Sequence, residues 1–206
     1  MAETPTDLRI EPMAAVDIEA VVRLQIETLQ DSLVTQLGAR FLRHFHAHAL
    51  DDAGTIGLVA RTGEGSLAGF TVGTIDGERF RRRLRARLLL PLVLALAVRP
   101  ALARRFALSL LQREPPSAVA AELLLLAVHD DHRRRHVGTG LLDTLESRFL
   151  EAGVSDYRVA VRSWLKPALD FYGSHAFEVE AEASVLGAPM TYLRRRVRGT
   201  ALPGNG

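Results

Sequence analysis

The stretch V-H-D-D-H-R-R-R-H-V-G-T-G-L-L, Val128 to Leu142, decides how this chain is read. It continues an apolar run with β character, Glu122 to Val128, and passes at once into an amphipathic helical pattern. A strand, a basic glycine-containing loop and a helix N-terminus together make an anion site. Glycine lets backbone approach a phosphate closely, the first N–H groups of a helix lack partners, and the macrodipole favours negative charge there. The pattern therefore predicts a place to hold a phosphate or pyrophosphate. A Walker A loop is excluded, because the only lysine of the chain is Lys166. The dinucleotide fingerprint Gly-x-Gly-x-x-Gly is excluded too, since Leu141, Leu142 and Asp143 follow Gly138 and Gly140.

The rest of the chain sets the frame for that site. Its 206 residues predict one domain, residues 1–198, with an insertion at 78–116 and a disordered tail at 199–206. Apolar residues at 48% predict a soluble globular protein. With no cysteine there is no disulfide framework, thiol nucleophile or thiolate metal site. The N-terminus lacks the pattern of a signal peptide, which makes the cytoplasm the expected location. His44, His46 and His48 have no carboxylate companion completing a metal motif, so they are expected to be structural or surface residues, and no metal is expected. Charge is unevenly spread. Arg79 to Arg113 holds ten arginines and no acid, whereas the remainder has 16 basic and 24 acidic residues.

Periodicity supplies the elements. Leu8 to Ile10 reads as a strand, and Ala14 to Leu29 as a helix with Ile18, Val21, Val22, Ile26 and Leu29 on its buried stripe. Phe41, Leu42, Phe45 and Ala49 mark a second helix entered after Gly38. Thr55 to Arg61 and Leu67 to Ile75 form a hairpin. The basic insertion follows and closes at Pro115-Pro116. Next come the strand to Val128, a helix from about Val137 to Ala152 stopped by Gly153, a strand from Tyr157 to Val161, and a short helix begun at Pro167. Phe177 to Ala181 and Met190 to Arg195 close the chain as an antiparallel pair.

The central stretch resembles motif A of the GNAT superfamily of acyl-CoA-dependent N-acyltransferases, Arg/Gln-x-x-Gly-x-Gly/Ala after an apolar strand. Two registers fit. Arg135-His-Val-Gly138-Thr-Gly140 matches to the letter. Arg133-Arg-Arg-His136-Val-Gly138 places His136 at the usual first glycine but keeps the spacing to Val128 and Leu141-Leu142, and it is preferred because strand end and helix start set the loop length. The element order also resembles that of the GNAT fold over nearly the whole chain outside the insertion. The expected class is therefore α/β (α+β), with a mixed, mostly antiparallel sheet flanked by helices.

The resemblance carries expectations for individual residues. It implies acetyl-CoA, or another acyl-CoA, as co-substrate. The main chain of Leu126, Ala127 and Val128 would hold its pantetheine arm. The loop and helix start, Arg133, Arg134, Arg135, His136, Val137, Gly138, Thr139 and Gly140, would take the pyrophosphate. A second family pattern, Asn-x-x-Ala-x-x-Phe/Leu-Tyr…Gly-Phe, is matched by Ala168, Phe171, Tyr172 and Phe177. Leu165 stands at its asparagine and Ala176 at its glycine. Tyr172 falls where a tyrosine commonly protonates the departing thiolate. Glu122 falls where histone-acetylating relatives carry a catalytic glutamate, and a buried glutamate there is expected to act as base. Ala160 replaces the glutamate of ribosomal-protein N-terminal acetyltransferases, which argues against that activity. His129, Asp130, Asp131 and His132 are the lower-ranked substitutes for the base, and water is a further one.

Two functional classes remain open. One is an N-acetyltransferase moving an acetyl or short acyl group from CoA to a small-molecule amine. The other is a non-catalytic acyl-CoA-binding module for sensing or interaction. No nucleic-acid partner is expected. Leu88 to Val98 is an apolar run broken by Pro91 and too short to span a bilayer. The insertion is expected to be helical. It has three open readings: a cap selecting an anionic or bulky acceptor, a homodimer surface, or a peripheral membrane contact through residues 79–113.

Overall fold

A computed structural model describes residues 8–97, 115, 117–185 and 188–197. Strand β1 (Arg9–Pro12) leads through a single 3-10 turn into α1 (Ile18–Thr28), the short α2 (Leu33–Gln36) and α3 (Ala39–Asp51). The hairpin β2 (Thr55–Arg61) and β3 (Leu67–Thr74) precedes α4 (Gly77–Ala97), the described part of the insertion. Then follow β4 (Ala121–Val128), α5 (Val137–Glu151), β5 (Asp156–Arg162), α6 (Lys166–Ser174), β6 (Glu178–Val185) and β7 (Ala188–Arg196). The expected helical content of residues 98–114, and the tail at 199–206, lie outside the described residues.

The seven strands form one sheet in the order β1-β2-β3-β4-β5-β7-β6. Every neighbouring pair is antiparallel except β4 and β5. Alternation along the strands feeds two cores. Leu58 and Ala60 of β2 pack with Leu141, Leu142, Leu145 and Phe149 of α5 on one face. Val59 between them packs with Val21, Leu24, Phe41 and Phe45 of α1 and α3 on the other. The four α5 side chains are fully buried, each contributing about 1.5–3 kcal/mol. Gly153 ends α5 in a left-handed conformation, with its N–H bonded to Leu150 and that of Val154 to Phe149.

Two expectations need correction. Ile26 is exposed, and Gln25 is buried in its place. Gln25 faces inward because it is the middle of a hydrogen-bonded chain: His46 Nε2 lies 2.7 Å from its Oε1, and its Nε2 donates to Thr35 Oγ1 at 3.1 Å. Pro91 does not break the insertion, for α4 runs through it. The lost i→i−4 bond and ring clash cost about 3 kcal/mol. Packing of Leu84, Leu88, Leu92 and Leu96 against the α1–α3 core offsets that cost.

Burial pushes the His46 pKa down from 6.5 to about 4. A depressed pKa means that its stabilising contribution is complete above the unfolded value and is lost as pH falls toward the folded one. Between pH 7 and pH 4 the unfolding free energy should therefore drop by up to about 3 kcal/mol on this account. Urea unfolding across that range and NMR titration of the ring check it. Protonation of His46 near pH 6.5 with the native fold intact would overturn the assignment.

Candidate active site

The site begins with a defect in the sheet. β4 and β5 pair only through Ala121↔Tyr157, Glu122↔Arg158 and Leu123↔Val159. On the other edge of β4, Gly73 faces Leu123 and Val72 faces Leu125, so Leu124 is an extra residue. A bulge of this kind bends a strand and increases its twist. Its effect on phase is visible in the packing: Leu124 and Leu125 both turn toward the α1–α3 core, whereas Leu123 and Leu126 turn toward α5. Thr71 on β3 donates to the Leu125 carbonyl at 3.0 Å, fastening the bulge. Beyond it β4 and β5 diverge, and residues 124–128 pair with no strand on the β5 side among the described residues. Between the strands lies a cavity of about 620 Å³. Its walls come from β4, β5, α6, β7, Arg81 of α4, and the end of α1 with the connection to α2 at residues 27–32.

Leu126 lines this cavity, while the Ala127 side chain is buried in the opposite core and Val128 is half-buried beside α5. After β4, Asp130–His132 forms a 3-10 turn and Arg133 pairs with Asp130 at 2.9 Å. His129, Asp130, Asp131 and His132 thus sit beyond the strand end and do not line the cavity. Arg134 and His136 both adopt left-handed backbone, with φ of 61° and 60°. Glycine takes that conformation most cheaply, which favours the register with His136 at the family's first glycine. His136 caps α5, and Gly138, Thr139 and Gly140 lie within its first turn. The first helical bond runs from the Gly140 N–H to the His136 carbonyl at 2.9 Å. The amides of Val137, Gly138 and Thr139 ahead of it have no helical acceptor. The Thr139 hydroxyl lies 3.1 Å from His175 Nε2, and a Cβ on Gly138 would stand 3.3 Å from Phe171, so α6 braces this turn.

Tyr172 of α6 is buried, lines the cavity, and packs edge-on against Phe171 and Phe177 with centroids 5.3 and 4.9 Å away. Burial pushes its phenol well above the usual tyrosine range. Leu165 and Ala168 line the same cavity. Ala176, at the expected glycine, has a φ of 57°, so the left-handed turn is kept without glycine.

Glu122 is not the free carboxylate expected of a base. Its Oε1 accepts from Arg158 Nε and Nη2 at 2.9 and 2.6 Å, and its Oε2 accepts from Arg81 Nη1 at 2.5 Å. Glu122 and Arg158 are both buried. The start of α4 presses against this cluster, since a Cβ on Gly77 would overlap the Glu122 carboxylate. An acid whose oxygens already serve two guanidinium groups is arranged to hold charge rather than to accept a substrate proton. Arg158 escapes the sequence reading, and Arg81 enters it only as one charge of the basic insertion, because no local pattern links positions 81, 122 and 158. Only the parallel register Glu122↔Arg158 joins two of them. Among the described residues no group of three His, Asp or Glu could hold a metal ion.

Residues 19–177 match the model of the Acetyltransferase (GNAT) family. No curated protein matches the chain significantly. Among solved structures, Ard1 from Thermoplasma volcanium is 21% identical, with 93% of this chain and 99% of that one covered and a TM-score of 0.61. The PaiA N-acetyltransferase from Thermoplasma acidophilum, in complex with coenzyme A, is 14% identical over 92% and 99%, with a TM-score of 0.62. The ribosomal-protein-S18-alanine N-acetyltransferase from Escherichia coli is 13% identical over 95% and 98%, with a TM-score of 0.60. At these identities the likeness establishes a shared fold.

Removing one partner of a buried ion pair leaves the other charge uncompensated, at about 3–5 kcal/mol. Glu122→Ala should therefore lower the unfolding free energy by roughly that amount. Adding Arg158→Met should recover much of the loss. Denaturant unfolding of the two variants checks this, and an unchanged midpoint for Glu122→Ala would show that the pair does not hold β4 to β5.

Proposed function

The chain belongs to the GNAT acetyltransferase family, and on that premise we propose that it is an acyl-CoA-dependent N-acyltransferase acting on a small-molecule amine. The observation that carries this reading is the unpaired edge of β4 beyond the Leu124 bulge, which leads directly to the N-terminus of α5. An extended polar chain ending in phosphates fits such a surface, because strand amides bond along it and helix amides meet the anion. In this proposal the main chain of Leu126, Ala127 and Val128 holds the pantetheine arm. Arg134, Arg135 and His136, with the amides of Val137, Gly138 and Thr139 and the opening turn at Gly140, receive the pyrophosphate. Arg133, already paired with Asp130, contributes less. Acetyl-CoA, or another short acyl-CoA, supplies an activated thioester carbonyl.

Tyr172 acts as general acid. Burial keeps its phenol protonated at neutral pH, so a donor is always present for the departing thiolate. Glu122 is assigned a holding role, fixing Arg158 and Arg81 in the cavity wall, and the ammonium of the acceptor loses its proton to water. The acceptor enters between the α1–α2 connection and β5. The cavity volume of about 620 Å³ is that of a small-molecule site, and its Leu, Val, Ala and Met lining suits a bulky apolar body. Among the described residues of the insertion, Arg81 reaches this wall, which supports an acceptor carrying an anionic group. A non-catalytic acyl-CoA-binding module is the second reading, favoured by Leu165 at the asparagine position and by the occupied oxygens of Glu122. CoA release with a panel of amines separates the two.

Calorimetry with acetyl-CoA should give saturable binding. Gly138→Glu, which sets bulk against Phe171 and a negative charge at the helix start, should weaken it about tenfold or more, a loss of ~1.4 kcal/mol. No binding by the wild type would refute the cofactor assignment.

Tyr172→Phe should leave folding and acetyl-CoA affinity nearly unchanged while kcat falls by about a hundredfold. Full turnover in that variant would make Tyr172 a packing residue.

A further inference from the structure

The charge of α4 divides into two groups. Arg81 pairs with Glu122, Arg83 with Asp52 at 2.7 Å and Arg87 with Asp51 at 2.7 Å, so these three fasten the helix to β4 and α3. Arg79, Arg82 and Arg85 are exposed, and among the described residues no carboxylate pairs with any of them. One turn further along, Leu89, Leu90, Val93 and Leu94 are 62, 68, 53 and 49% exposed. At 100° per residue these side chains share the face opposite Phe80, Leu84, Leu88 and Leu92, which pack into the core. Arg79 and Arg82 lie on that same outer face and Arg85 at its edge beside the Leu92 row, so the exposed side of α4 is basic over its first half and apolar over its second. Among the described residues no ion pair and no core cluster includes these side chains.

We propose that this face of α4 docks on an anionic lipid bilayer surface. Charge and hydropathy together select that occupant. Arg79 to Arg85 spans about 9 Å and Leu89 to Leu94 about 8 Å of helix axis, comparable to the depth of a headgroup layer and of shallow acyl insertion. An inclined helix places the guanidinium groups among lipid phosphates while the four aliphatic side chains enter the acyl boundary. A second copy of the same face serves less well. Paired in parallel it sets arginine against arginine, and paired antiparallel it sets arginine against leucine. A nucleic acid satisfies the arginines and leaves the aliphatic cluster in water. Among the described residues no helix is long and apolar enough to cross a membrane, so the contact is peripheral. The only acid on this stretch is Glu78, at the first turn.

Sedimentation of the full chain with phosphatidylcholine vesicles, with and without an equal part of phosphatidylglycerol, tests the proposal. The wild type should partition onto the mixed vesicles and not onto pure phosphatidylcholine, and rising salt should release it. Replacing Arg79, Arg82 and Arg85 together by Gln should cut partitioning about a hundredfold, at about fivefold for each charge. Leu90→Ser with Val93→Ser should also reduce it, by about tenfold or more. All five positions are exposed, so circular dichroism and thermal unfolding of both variants should match the wild type. Failure of the wild type to bind the mixed vesicles, or binding that survives the arginine replacements, overturns the proposal. So does a serine variant that changes only the oligomeric mass in solution, which would make the face a contact between copies. These readouts involve no acyl transfer, so they stand or fall apart from the proposed enzymatic reaction.

Discussion

The single extra residue at Leu124 is the constraint on which the rest of the molecule turns. A continuous sheet would pair β4 with β5 along their whole length and leave no cleft. The bulge bends β4 away after three paired positions, and the two strands diverge into the cavity. Unpaired backbone groups facing a cavity are costly unless water or a ligand meets them. Such an edge persists because both of its faces are packed, by α5 beneath and by α1 and α3 above. The helix that follows the 129–136 loop adds its own first-turn amides, which have no helical acceptor.

Electrostatics keeps the strands together where they do pair. Glu122 and Arg158 are register partners across the one parallel step, and Arg81 approaches from α4. The cluster therefore ties three elements, the insertion included, at the point where the cleft opens. A second buried carboxylate lies further along the sheet. Glu146 accepts from the Tyr157 hydroxyl at 2.5 Å and from Arg195 at 2.8 Å, linking α5 to β5 and β7. Burial raises the Glu146 pKa, opposed by these two partners.

The insertion has two roles that its composition does not separate. Ten arginines with no acid suggest one uniform basic surface. In the fold, successive residues of α4 point 100° apart around the helix, so some guanidinium groups meet Asp51, Asp52 and Glu122 while others face outward. The charge contrast between insertion and remainder is thus partly an internal pairing between α4 and acids of the domain beneath it.

The sequence by itself determined the element order, the family and the position of the glycine-containing turn that opens α5. The elements are written in local periodicity, such as the 3.6-residue stripe of α5, and the family in the resemblance of the loop and the element order to those of known members. It also singled out Tyr172 through the resemblance to the second family pattern, and the fold sets that residue in the cavity wall. Tertiary structure decided what depends on contacts between distant segments. Gln25 faces inward because His46 and Thr35 await it, and Pro91 stays helical because four leucines of α4 are held by another layer. Glu122, expected from the sequence as a base, sits at the centre of an ion cluster because strand register brings Arg158 beside it. Register, bulge position and long-range ion pairing leave no mark on a window of a few residues, since their energies arise only when chain segments far apart in sequence meet.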